Sequence, residues 1–262
     1  VVDICAMAAQ RAFGGVAWHA HEMLWGFIAT IALAFLMTAG ANWTGINPMS
    51  GKLLALACVL WAVARIGFLL PWETAFWIAM TSELAFFLLG SSAMLRAVVM
   101  SKNSRNYAVP GLLAGLGAMD ALYLLTARGG DYLLLMQRFN AGLVVMALIA
   151  LLIGRRVIPF FAMRAVHELS LPKQTETGWV QLGACAVGVL GLLLGQPMPT
   201  AFGLGLAGVL AIVHIVSWKP WAVRSNALLW ILYVGYAGVG IGLMLAAWAQ
   251  VGLALPRALP VH

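Results

Sequence analysis

Apolar residues run in long blocks separated by short polar, Gly or Pro breaks. Eight blocks have the length of single helices: residues 19–40, 52–70, 74–97, 107–127, 133–154, 179–195, 200–217 and 226–250. Each holds about 18 to 24 residues, and at roughly 1.5 Å per residue such a helix crosses a hydrocarbon layer about 30 Å thick. The pattern predicts an all-α fold, a polytopic transmembrane helix bundle with about eight spans.

Composition agrees. Of 262 residues, 63% are hydrophobic and 9% charged, whereas a soluble domain is roughly half apolar and a quarter charged. There are three cysteines in all, Cys5, Cys58 and Cys185, so a disulfide-stapled secreted module is not expected, and none of them forms a CxxC pair. The net charge of +7 comes from Lys and Arg spread over the loops with no basic run, which argues against nucleic acid. The same residues orient the bundle. Loops on the N-terminal side hold Arg11, Arg128 and Arg257; the opposite side holds Lys52, Arg96, Lys102, Arg105, Arg155, Arg156, Arg164, Lys173, Lys219 and Arg224. By the positive-inside rule the second side is cytoplasmic, both chain ends face outward, and the longest loop, 155–178, lies inside. The chain begins Val1-Val2-Asp3 and ends Pro260-Val261-His262, and it is read as one integral membrane domain, 1–262, cut from a longer protein.

Several motifs lose their usual meaning within a span. Gly203-Leu204-Gly205-Leu206-Ala207-Gly208 fits GxGxxG, but no strand precedes it, so it is read as helix packing. Gly111/Gly115, Gly191/Gly195 and Gly238/Gly242 have the spacing that lets helix backbones approach closely. Asn42-Trp43-Thr44 matches a glycosylation acceptor but falls on the cytoplasmic side.

An ionisable group inside a span is expensive unless paired, so each marks a site hypothesis. The first helix opens with Trp18-His19-Ala20-His21-Glu22-Met23; the next four carry Arg65, Glu83, Asp120 and Arg138, the last followed by Asn140. All fall in the outer half of the membrane, so Arg65 and Arg138 can pair with Glu22, Glu83 and Asp120. The bland alternative is structural salt bridges with the two Arg snorkelling to the interface. His19 and His21 point about 200° apart on a helix and cannot share an ion unless that turn unwinds, whereas His19, Glu22 and Met23 share a face. An imidazole beside a carboxylate suits a metal ligand with its orienting partner, or a haem axial ligand. His262 lies at the same membrane level and is a further ligand candidate. His214 is read as an interface residue and His167 as solvated.

These residues carry a family resemblance. The run Trp18-His19-Ala20-His21-Glu22-Met23-Leu24-Trp25-Gly26-Phe27, then Phe35-Leu36-Met37-Thr38-Ala39 and Asn42-Trp43-Thr44-Gly45, resembles the amino-terminal signature of the NnrS family. Leu60-Trp61-Ala62-Val63-Ala64-Arg65, Arg138-Phe139-Asn140 and Gly154-Arg155-Arg156-Val157-Ile158-Pro159-Phe160-Phe161 resemble its later blocks, with Ala162 where Thr is usual. The resemblance implies a multi-pass protein of the bacterial inner (plasma) membrane, with about twelve spans in the family. It also implies association with haem and copper, and a part in the denitrification-linked response to nitric oxide and nitrosative stress, with no settled enzymatic reaction.

On this reading His19 and His21, and His262 with them, are the ligand candidates, with Glu22 beside them at the metal. Arg65 and Arg138 are candidates for holding haem propionates, since an Arg fork binds carboxylate bidentately. The expected partners are the lipid bilayer and nitric oxide or a related small molecule. The competing function is a secondary transporter or channel whose charged residues line a path in the outer half of the membrane; it calls for a broken helix or inverted repeat, and the sequence displays neither clearly. A third is a structural or assembly partner that carries no cofactor.

Overall fold

The computed structural model describes residues 15–172 and 174–252; His262, with Cys5, Arg11, Lys173 and Arg257, lies outside the described residues. Eight long apolar helices are present: α1 (Gly15–Thr44), α2 (Gly51–Leu69), α3 (Glu73–Met100), α4 (Ala108–Gly129), α5 (Tyr132–Ala165), α6 (Glu176–Leu193), α7 (Pro197–Ser217) and α8 (Ala227–Gln250). Each is long and apolar enough to cross a membrane. The protein is therefore an all-α, multi-pass membrane protein, with exposed side chains such as Val59, Ile66, Ile78 and Leu88 available to lipid.

Seven helix positions agree with the hydropathy pattern to within a few residues. The exception is α5, which runs through Arg155 and Arg156 to Ala165, so much of the expected 155–178 loop is helix. Charge ends an apolar run without ending a helix, because Arg is a good helix former. Pro159 also lies inside it. Proline removes one backbone donor and crowds the carbonyl four residues earlier, but the helix continues past it.

Turn chemistry sets two helix ends. Gly45 (φ 72°) closes α1 with its N–H on the Ala41 carbonyl at 2.9 Å, and Gly130 (φ 73°) follows α4. Both adopt the left-handed conformation that only glycine reaches without strain.

The chain divides into two compact units, residues 1–142 and 143–262. In the first, α3 packs on α1, α2 and α4. Its core includes Ala64, Phe68, Phe76, Ala79, Met80 and Leu124. In the second, α7 packs between α6 and α8. Glycine makes that packing close: a Cβ at Gly203 would lie 2.5 Å from the Ala184 carbonyl oxygen, and one at Gly208 would lie 2.6 Å from that of Gly240. The GxGxxG run is thus a helix-packing surface. Gly191 likewise fits against Thr200. At Gly111, Gly115, Gly238 and Gly242, by contrast, an added Cβ meets nothing within 4 Å among the described residues, so these pairs mediate no close approach there.

Candidate functional site

The first unit buries a charged cluster built from four helices. Its local cause lies in α1, where an α-helical turn through His21 opens into a π-helix over Glu22–Ala29. Wide π turns are uncommon and concentrate at functional sites. Thr30 Oγ1 donates to the Trp25 carbonyl at 3.1 Å, and Trp61 Nε1 reaches in from α2 to the Gly26 carbonyl at 3.1 Å. Side-chain donors thus serve carbonyls along the widened segment.

His21 is fully buried. Its ring stacks with Trp25 (centroids 5.6 Å apart) and Tyr123 (6.0 Å) and meets the edge of Phe68 at 4.9 Å. Trp25 and Tyr123 are themselves pinned: Trp25 Nε1 donates to the Leu116 carbonyl at 3.1 Å, and Tyr123 OH to that of Ala17 at 2.8 Å. The imidazole therefore has a fixed position. Nδ1 lies 3.2 Å from Glu22 Oε1, and Nε2 lies 2.9 Å from Asp120 Oδ1 and 3.3 Å from Glu83 Oε2.

Arg65 closes the arrangement. Its Nη1 binds Glu22 Oε2 at 2.6 Å and its Nη2 pairs with Glu83 Oε1, so His21, Glu22, Arg65 and Glu83 form a ring with Asp120 as a branch. Gly26 makes room for it, because a Cβ there would collide with Arg65 Nη1 and lie 2.7 Å from Glu22 Oε2.

Formal charge decides what the cluster lacks. Among the described residues, three carboxylates face one guanidinium and one imidazole, so negative charge is in excess there even with His21 protonated. Glu83 Oε2 and Asp120 Oδ2 are buried and accept no hydrogen bond among the described residues. Uncompensated buried charge is costly. A cation resolves both shortfalls.

The geometry suits a metal ion. One ligand atom from each of His21, Glu83 and Asp120 lies within 4.8 Å of the others, and all three residues are buried. Metal–ligand bonds of about 2.1 Å in octahedral or tetrahedral array place ligand atoms roughly 3.0 to 3.4 Å apart. The Nε2 separations of 2.9 and 3.3 Å match that edge. With Nε2 as ligand, Nδ1–H donates to Glu22, which is the carboxylate–histidine pairing that orients metal-bound imidazoles. One imidazole and two carboxylates are hard-to-borderline donors, suited to divalent first-row ions and to copper as Cu(II) rather than Cu(I).

Haem does not fit at His21. Both ring nitrogens face carboxylates and aromatic rings pack about the imidazole, leaving no face for a porphyrin. Arg65 already spends both terminal nitrogens on Glu22 and Glu83.

The remaining expected residues stand apart. His19 is exposed, as is Met23, so the partner of Glu22 is His21 rather than the expected His19. Arg138 is half-buried in α5 and has no ion pair among the described residues. Glu83 and Asp120 are joined to the site by the structure; their shared depth in adjacent spans was the available sequence signal. His214, expected at an interface, is instead fully buried in the second unit, stacked on Trp218 at 5.7 Å.

Apolar spanning helices enclosing a cluster of buried charge define a polytopic integral membrane protein with an intramembrane polar site. The chain belongs to the NnrS family, whose model, described as NnrS protein, matches residues 2–262. No curated protein and no solved structure matches it.

Proposed function

We propose that this NnrS protein acts in the bacterial inner membrane in the response to nitric oxide and nitrosative stress, and that a divalent first-row metal ion binds at His21, Glu83 and Asp120. The observation that carries the metal reading is the surplus of negative charge around His21 among the described residues, with two buried carboxylate oxygens, Glu83 Oε2 and Asp120 Oδ2, that accept no hydrogen bond there. Glu22 orients His21, and Arg65 holds Glu22 and Glu83 in place. A bound ion would supply a Lewis-acidic or redox centre that a small neutral molecule reaches through the apolar bundle. Of the family's expected metals, copper suits this donor set as Cu(II). Haem belongs with residues outside the cluster, of which His19, Arg138 and His262 are the candidates.

The test is complementation. In a strain lacking the protein and challenged with a nitric oxide donor, the full-length wild type should restore growth and Asp120→Ala should not. Equal rescue by both would overturn the functional role of the cluster.

The same surplus charge favours one second reading. A proton on Asp120 also balances the site, as in a transporter or channel with a charged path. Under that reading the purified protein carries no metal at His21, and Asp120→Asn leaves its metal content unchanged.

A further inference from the structure

The second unit holds another polar network, buried at His214, Tyr236 and Gln181 and reaching the surface at Thr177. Thr177 Oγ1 lies 2.9 Å from Gln174 Oε1 and 3.0 Å from His214 Nε2; His214 Nδ1 lies 3.2 Å from Tyr236 OH, which lies 3.2 Å from Gln181 Oε1. The chain thus reads Gln174, Thr177, His214, Tyr236, Gln181, with four contacts.

Both end groups are fixed as acceptors. Gln181 Nε2 donates to the Ala207 carbonyl at 3.1 Å, which turns Oε1 towards Tyr236. Ser217 Oγ donates to the His214 carbonyl at 2.7 Å and so must accept from Gln174 Nε2 at 2.7 Å, which turns that Oε1 towards Thr177. Neither amide can be flipped without setting two acceptors against each other.

Four contacts between two acceptor oxygens need four hydrogens. Thr177 and Tyr236 supply one each, and a neutral His214 supplies one. The chain is one hydrogen short. Two neutral arrangements compete: Nε2–H donating to Thr177, or Nδ1–H donating to Tyr236, each leaving one contact without a hydrogen. An imidazolium fills all four.

We propose that His214 is a buried proton-binding site, loaded from the end of α6 where Thr177 is exposed and Gln174 half-buried. Among the described residues the titratable groups facing the network are Arg155 from α5 and Cys185 from α6, while the Tyr233 hydroxyl of α8 donates instead to the Trp218 carbonyl at 3.0 Å. The Arg155 guanidinium packs on Gly178, where any Cβ would collide with it, and it opposes a second positive charge. The resting chain is therefore the neutral one with two tautomers in balance, and the proton enters on demand.

Removing either neighbour of His214 should resolve the shortage in opposite senses. Tyr236→Phe leaves two contacts, both satisfied by the Nε2–H tautomer. Thr177→Val leaves two contacts satisfied by Nδ1–H. Nitrogen-15 NMR of histidine-labelled full-length protein in nanodiscs reads the tautomer directly, the His214 signals being assigned by their loss in His214→Gln. The expected result is opposite tautomers in the two variants, and in the wild type a mixture that converts to imidazolium on acidification. Gln181→Met, which frees the Tyr236 hydrogen for Nδ1, should match Tyr236→Phe and replaces it should that variant not fold. The same tautomer in both classes of variant would overturn the proposal, as would a wild-type His214 locked in one neutral form throughout.

Discussion

The guanidinium of Arg65 occupies the space that a side chain at Gly26 would need, so the absence of a Cβ on α1 is what admits a cation from α2 between Glu22 and Glu83. Gly26→Ala should push Arg65 off one or both carboxylates. Breaking a buried pair costs about 3–5 kcal/mol, and partial relaxation of a flexible arginine brings the expected loss to about 2–3 kcal/mol. Thermal unfolding in nanodiscs reads it as a clear drop in Tm; a Tm equal to the wild type would contradict the packing.

The two buried carboxylates on Nε2 of His21 should behave differently when neutralised. Glu83 also pairs with Arg65, whereas Asp120 forms an ion pair only with His21 among the described residues. Glu83→Gln leaves Arg65 half-paired and is expected to destabilise the metal-free protein by about 3 kcal/mol. Asp120→Asn relieves the surplus charge and should be near neutral or stabilising in the same state. Unfolding of the two variants after chelation checks the order, and a larger loss for Asp120→Asn would contradict the charge count.

Glu22 and His21 should separate as orienting group and ligand. Losing a carboxylate that orients a metal-bound imidazole typically costs 10- to 100-fold in affinity, so Glu22→Gln should weaken binding by about that factor. His21→Gln should abolish it. Competition against a chelator of known affinity measures both. Complete loss in Glu22→Gln with retention in His21→Gln would make Glu22 the ligand instead.

Close helix packing in the second unit gives a control pair within one sequence. A side chain at Gly203 meets the backbone of Ala184 and Gly188, while one at Gly238 meets nothing within 4 Å among the described residues. Gly203→Val should force α6 and α7 apart and lower Tm strongly; Gly238→Val should change it little. Equal losses would contradict the assigned packing face.

Hydropathy made the helices legible because a bilayer demands a long apolar run for each crossing. It failed at α5, where Arg155, Arg156 and Pro159 read as a loop yet stay helical. Convergence of Glu22, Arg65, Glu83 and Asp120 was legible for a related reason: charges buried in spans must find one another at a common depth. Arg138 met the same criterion and makes no such pair among the described residues, since depth says nothing about the direction a side chain faces. Which histidine joins the site was hidden for a different reason. Spacing on an ideal α-helix sets His19 over Glu22, but the π-helix beginning at Glu22 accompanies a different pairing, His21 with Glu22, and no residue pattern had announced it. His214 looked interfacial by position and is buried because Trp218, Thr177 and Tyr236 close around it.

Metal content measured on the purified full-length protein, wild type against Asp120→Ala, decides whether an ion is held at His21, Glu83 and Asp120, with X-ray absorption on the same samples to identify the donors. The expected result is one equivalent of a divalent first-row metal fewer in the variant, and in the wild type a contribution from nitrogen and oxygen donors at about 2.0–2.2 Å that the variant lacks. Identical metal content and identical spectra in the two proteins would contradict a metal site at His21, Glu83 and Asp120.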